Sequence, residues 1–183
     1  GIKPIIGCEL YVARRTRHDR EAEDRKPFHL TVLAQDAVGY RNLLQLVSRA
    51  QLEGFYYRPR VDRELLAQYR EGLIVFSGCP GADAPSKIID GRLDAARDSL
   101  SWYKEVFEDR FYIELQNHDI DFIPRLNTEL LAFAKSLDIP LVATNDVHYA
   151  TEKDPRTHEV LLCIQTGTTM SDPKRMRIGD SFY

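Results

Sequence analysis

Residues Pro140-Leu-Val-Ala-Thr-Asn-Asp-Val-His148 read as a short apolar strand that runs straight into a carboxylate and an imidazole. Helical spacing flanks it on both sides. Upstream, Ile123, Leu126, Leu130, Ala134 and Leu137 make one face of a helix over Ile123 to Leu137. Downstream, a helix is predicted over Pro155 to Gln165, with Gly167 as its stop. The same alternation runs back to the start of the chain. Strands are predicted at Pro4 to Val12, His29 to Ala34, Leu73 to Phe76 and Phe111 to Leu115. Helices are predicted at Gly39 to Leu52, from Asp62 through Leu65, Leu66 and Tyr69, and at Arg92 to Phe107. In the first of these, Tyr40, Leu43, Val47 and Ala50 form the expected inner face, and Asp36 is a candidate cap. In the last, Leu93, Ala96, Leu100, Tyr103 and Phe107 repeat at helical intervals. Alternating strands and helices predict an α/β fold with a mainly parallel sheet. Five strands fit an open doubly wound sheet and equally fit part of a barrel. No Gly-rich phosphate loop supports a nucleotide-binding α/β fold.

Composition narrows the classes. The chain has 183 residues, 43% hydrophobic and 29% charged, which is globular composition. No apolar run approaches the roughly 18 residues of a membrane span. The formal charge is 25 − 28 = −3, so any nucleic-acid contact has to be local. The three cysteines, Cys8, Cys79 and Cys163, are too sparse for a disulfide framework, and a cytoplasmic setting is expected. The chain opens on Gly-Ile-Lys-Pro without a start methionine, as a segment of something longer would. Ala13 to Lys26 holds six Arg or Lys and four Asp or Glu without an apolar period, and reads as a solvated loop. Two basic stretches, Arg14-Arg15-Thr16-Arg17 and Tyr57-Arg58-Pro59-Arg60, are suited to phosphates, although solvated surface is the plainer expectation for both.

Five residues carry candidate chemistry. On an extended chain Asp146 and His148 point to one side, as a pair of metal ligands would; a capped turn is the competing reading. Glu9 lies within an apolar strand, where a carboxylate needs a cation, a metal or several donors, unless the strand is an edge open to water. His29 opens a strand, and such histidines are commonly satisfied by hydrogen bonds. Its place at the start of the strand also sits at the wrong end for a barrel site. Cys79, in the turn Ser77-Gly-Cys-Pro-Gly81, is either a ligand brought close by a bare turn or a small buried hydrophobe. Cys8 and Cys163 are assigned to the core. Glu114 is a candidate supporting group behind a metal site. His118 and His158 have no partner visible in the sequence.

The order of several segments is similar to one family. These are Gly1-Ile-Lys-Pro-Ile-Ile-Gly-Cys-Glu9, Phe28-His-Leu-Thr31, Gly39-Tyr-Arg-Asn-Leu43, Leu52-Glu-Gly-Phe-Tyr-Tyr-Arg-Pro-Arg60, Ser77-Gly-Cys79, Leu141 to His148, and His158 to Gly167. Together they resemble the N-terminal PHP domain of the bacterial DNA polymerase III alpha subunit. The resemblance implies a distorted seven-stranded β/α barrel, TIM-like, with a cluster of up to three metals. It implies Glu9, His29, Cys79, Asp146 and His148 as metal ligands. Zinc or manganese is the expected ion, with iron or magnesium as further candidates, at partial occupancy. The family's first metal-binding motifs would lie before Gly1. The chain is therefore expected to hold strands three to seven in residues 1–150, and a helix and tail leading to the next polymerase region in residues 151–183. Glu9, His29 and Cys79 are expected around one metal, and Asp146 and His148 around others. The implied function is DNA replication in the parent polymerase, a nucleotidyltransferase. Phosphoesterase or 3′–5′ exonuclease chemistry would belong to the complete domain, with the fragment alone inactive. A platform for the proofreading exonuclease subunit and a stand-alone phosphatase are the alternatives. DNA and other polymerase III holoenzyme subunits are the implied partners, with no membrane. Open sheet edges predict self-association. Pro80 to Ser86 departs from the family sequence, so the helix there is expected to be shortened or mobile.

Overall fold

The computed structural model describes residues 1–178 and 181–183, so residues 179 and 180 of the expected tail lie outside the described residues. Among the described residues six strands form one open sheet in the order β3-β1-β2-β4-β5-β6. They are β1 (Gly7–Val12), β2 (Phe28–Ala34), β3 (Arg60–Val61), β4 (Leu73–Phe76), β5 (Phe111–Gln116) and β6 (Leu141–Thr144). β1–β3, β4–β5 and β5–β6 pair in parallel, whereas β2 runs antiparallel to both β1 and β4. The fold is α/β and mostly parallel, consistent with part of a TIM-like barrel whose sheet does not close. β3 escapes sequence reading because two residues are too few to show a period.

Strand alternation sorts the side chains onto two faces. Leu10, Val12, Phe28, Leu30, Val32, Leu73, Val75, Phe111 and Ile113 share one face and one core with five helices. These are α1 (Ala37–Leu52), α2 (Arg63–Gln68), α3 (Asp83–Ile89), α4 (Leu93–Phe107) and α5 (Ile123–Leu137), and α6 (Pro155–Thr166) follows β6 outside that core. Phe107 and Phe111 are fully buried, each contributing about 1.5–3 kcal/mol of transfer free energy. The other sheet face carries Glu9, Tyr11, His29, Phe76, Tyr112 and Glu114.

Two helix faces differ from expectation. In α1 the buried residues are Gly39, Leu43, Leu46 and Ala50, whereas Tyr40 and Val47 are exposed. The Asp36 carboxylate caps the Val38 and Gly39 amides at 2.8 Å, and Gly39 presses on the Gly72 backbone, which fixes the rotation of the helix. Leu93 is likewise exposed at the start of α4. The segment after Cys79 forms the seven-residue helix α3, with Pro85 in its first turn, where a missing N–H costs nothing.

The charged segment after β1 is not a freely solvated loop. Asp24 is fully buried in a short 3-10 turn, Ala22–Arg25, where it accepts from Arg15 Nη2 at 2.6 Å and from the Glu21 amide at 2.9 Å. Arg60, at the end of the second basic stretch, is also fully buried. Its guanidinium donates to the carbonyls of Gly54, Asp24, Arg17 and Asp19 at 2.9–3.3 Å. That stretch therefore holds up the fold at Arg60 and does not present it to phosphates.

The hydrogen bond from Arg15 holds the Asp24 carboxyl below its ordinary value. A carboxyl depressed in the folded state stabilises the fold above its unfolded value, about pH 3.9, and the benefit fades as pH falls through the lower folded value. Asp24→Asn should therefore lower Tm at neutral pH, with the gap to the parent closing as pH falls below about 4. A constant gap across that range, measured by thermal melts, would contradict this account.

Candidate metal centre

The strand directions decide which residues meet. Because β2 opposes β4, the start of β2 lies beside the end of β4, with Thr31 opposite Phe76. His29 therefore reaches the same end of the sheet as the turn after β4, which removes the objection to its position. The turn closes over it: the His29 amide donates to the Gly81 carbonyl at 3.2 Å. Gly78 makes this path possible with φ of +84°, and a Cβ there would stand 2.6 Å from the Ala82 Cβ.

Three candidate side chains touch. His29 Nδ1 lies 2.8 Å from Glu9 Oε1 and 3.4 Å from Cys79 Sγ. All three are partly exposed. The contact with Cys79 and then the bond to Glu9 push the His29 imidazole up to about 10, against the opposing effect of burial. The same bond holds the Glu9 carboxyl below its ordinary value. Tyr11 sets the ring edge-on at 5.4 Å between centroids.

Asp146 and His148 sit at the end of β6, though not as a pair on an extended strand. Asp146 has φ of +44°, so the alternation that would align the two does not operate. His148 is exposed and its Nδ1 turns back to the Asp146 carbonyl at 2.6 Å. Burial raises the Asp146 carboxyl; the His148, His118 and His29 rings oppose the rise and the Glu9 carboxylate adds to it. Asp146 thus shares an electrostatic neighbourhood with Glu9 and His29 without touching either in a hydrogen bond.

Sequence reasoning missed a buried polar layer behind these groups. Glu114 is 4% exposed, and its Oε1 accepts from Gln116 Nε2 at 3.0 Å and from the Thr144 hydroxyl. Ser77, just before Cys79, accepts from the Glu114 amide at 2.9 Å. The layer links the turn after β4 to β5 and to the last residue of β6. Glu114 was visible as a candidate supporting group; its bond to Thr144 depends on β5–β6 register and was not. The tail was missed altogether. Phe182 stacks on His118 at 3.9 Å, its carbonyl accepts from the His148 amide at 2.8 Å, and Asn145 Nδ2 donates to the Ser181 carbonyl at 3.2 Å. His158 packs edge-on to His148 at 5.8 Å.

Thiol, imidazole and carboxylate are a donor set suited to zinc, manganese or iron. Among the described residues, no group of three His, Cys, Asp or Glu side chains stands ready to hold a metal ion. The contacts explain why: Glu9 and Cys79 both approach one ring nitrogen of His29 instead of surrounding a common point. The donor chemistry fits a metal, and binding one would require the His29 proton to leave.

The PHP domain family matches residues 1–118. The chain is 50% identical over 187 residues to a DNA polymerase III subunit alpha of Thermus aquaticus, covering all of this chain and 15% of that protein. It is 45% identical over 188 residues to the subunit of that name in Deinococcus radiodurans, and 46% over 187 residues to the one in Treponema pallidum. In both cases the whole chain is covered, with 14% and 16% of the relative. The chain thus spans about 15% of the length of the curated relatives it matches.

Proposed function

The chain belongs to the PHP domain family, and from this we propose that it is part of a replicative DNA polymerase III alpha subunit in which it builds a metal-dependent phosphoesterase site. One observation carries the reading: Glu9, His29 and Cys79, from three separate strands or turns, converge on a single contact. In the proposal these three hold one divalent ion, zinc or manganese, and Asp146 and His148 serve neighbouring ions. A bound metal would supply Lewis-acid stabilisation and an activated water for phosphodiester hydrolysis. The chain's own groups do the rest. Before an ion enters, Glu9 holds the His29 ring through Nδ1, and Ser77, Glu114 and Thr144 brace the turn of Cys79 and the approach to Asp146. Residues 151–183 lead, in this reading, towards the next polymerase region.

Asp146→Ala in the full-length polymerase tests it. Loss of manganese-dependent cleavage of single-stranded DNA with an unchanged melting temperature is the expected result. Robust cleavage by the present chain alone would overturn the expectation that it is inactive by itself. A second reading, a platform for other holoenzyme subunits including the proofreading exonuclease, draws on α6, where Val160, Leu161 and Ile164 are 41, 59 and 73% exposed. Unfolding of Asp146→Ala without a specific loss of cleavage would favour it. The stand-alone phosphatase is the weaker reading, because similarity to the polymerase subunits continues through the tail.

Self-association belongs to the same proposal. Among the described residues β6 pairs with β5 alone and leaves Leu141 45% exposed. An uncovered strand edge bearing an apolar side chain invites pairing with a second copy. Light scattering should show species larger than a monomer as concentration rises; a monomer throughout would remove this element.

A further inference from the structure

On the sheet face opposite Glu9 and His29, Val12 and Phe28 floor a cavity of about 380 Å³. Five cations line it: Arg14, Arg15, Arg63, Lys87 and Arg92. Two carboxylates, Glu23 and Asp83, share the lining, so the wall carries a surplus of three positive charges, 5 − 2.

The cations are held in place. Asp83, 6% exposed, binds Lys87 Nζ at 2.7 Å and Arg63 Nη2 at 3.2 Å. Lys87 Nζ also donates to Ser99 Oγ at 2.6 Å. The Arg63 guanidinium lies over the Trp102 ring at 4.7 Å, and that of Arg14 over Phe28 at 4.4 Å. Stacking fixes the plane of each guanidinium and leaves its N–H edge as the donor surface. Arg15 is taken up by Asp24, and Arg92 pairs with Asp90 at 2.9 Å. Arg14 spends Nε on the Lys26 carbonyl at 2.8 Å, and among the described residues no carboxylate pairs with it. A partly buried lysine beside a shared carboxylate and two stacked guanidiniums, of which Arg14 has no acidic partner among the described residues, form a concave, preorganised donor set.

We propose that this cavity is a phosphate-binding site, separate from the candidate metal centre, taking a phosphoryl oxyanion on Arg14, Arg63 and Lys87. The planar forks of Arg14 and Arg63 suit tetrahedral oxyanions, and Lys87 adds a point charge. The chemistry is common to free inorganic phosphate and to the backbone of a single-stranded nucleic acid. The site gives the basic stretch beginning at Arg14 a role the metal centre does not use.

The test is a 31P NMR titration of inorganic phosphate into the chain with a chelator present, so that no metal can carry the anion. Saturable binding is expected, about ten-fold weaker in Arg14→Gln and in Arg63→Gln. Glu9→Gln, on the other sheet face, should leave it unchanged. Arg92→Gln, at an exposed position, serves as a second probe should Arg63→Gln disturb the Asp83 contacts, and should weaken binding to a lesser degree. Displacement of phosphate by a short oligothymidylate would identify the nucleic-acid backbone as the source; failure to displace would identify the small anion. No saturable binding, equal binding by the parent, Arg14→Gln and Arg92→Gln, or loss of binding in Glu9→Gln would each overturn the proposal.

Discussion

Arg60→Leu is expected to destabilise the chain by about 3–5 kcal/mol, a large part of the margin of a domain this size. Leucine removes every donor to the carbonyls of Gly54, Asp24, Arg17 and Asp19, and the residue is fully buried, so water does not replace the bonds without disrupting the packing. Gly54 packs tightly on this residue's backbone, since a Cβ there would stand 1.9 Å from the Arg60 carbonyl oxygen. Arg60→Lys should recover only part of the loss, since an ammonium lacks the planar fork that reaches separate carbonyls. Denaturant melts measure both variants. An Arg60→Leu midpoint within error of the parent would show that the buried guanidinium is not what organises this corner.

Cys79→Ala and His29→Ala are each expected to weaken zinc or manganese binding by about 100-fold or more, read by competition with a chromophoric chelator. In the parent, metal at 100 times its dissociation constant should raise stability by about 2.7 kcal/mol. Affinity should weaken as pH falls from about 8 to 6, because the metal must displace a proton that Cys79 and Glu9 hold tightly on His29. Unaltered affinity in both alanine variants would remove these side chains from the metal centre.

Much of this architecture was legible from apolar periodicity. β4 and α5 fall on the residues their patterns predict, and Gly167, with φ of +67°, ends α6 as its type implies. Strand direction was not legible, because a period of two reads alike in either sense. That is why His29 looked misplaced until β2 was seen to oppose β4. Charge misled at Arg60 and Asp24, where burial is offset by hydrogen bonds from distant segments that no local pattern encodes. The neighbourhood of Glu9, His29 and Cys79 came from the ordered set of family-like segments, since Glu9 alone had an equally good plain explanation and His29 and Cys79 each had a better one. The positive φ of Asp146 has no mark in the sequence, and neither does the return of Phe182 onto His118.

The reversal of β2 also bears on folding kinetics. Glu9 and His29 belong to adjacent antiparallel strands twenty residues apart, 29 − 9, a hairpin with modest loop-closure cost. Cys79 lies fifty residues beyond His29 and arrives only when β4 docks along β2. A thiolate-dependent signal, such as the charge-transfer band of a cobalt probe, would then time the docking of β4, while a probe on the hairpin reports an earlier event.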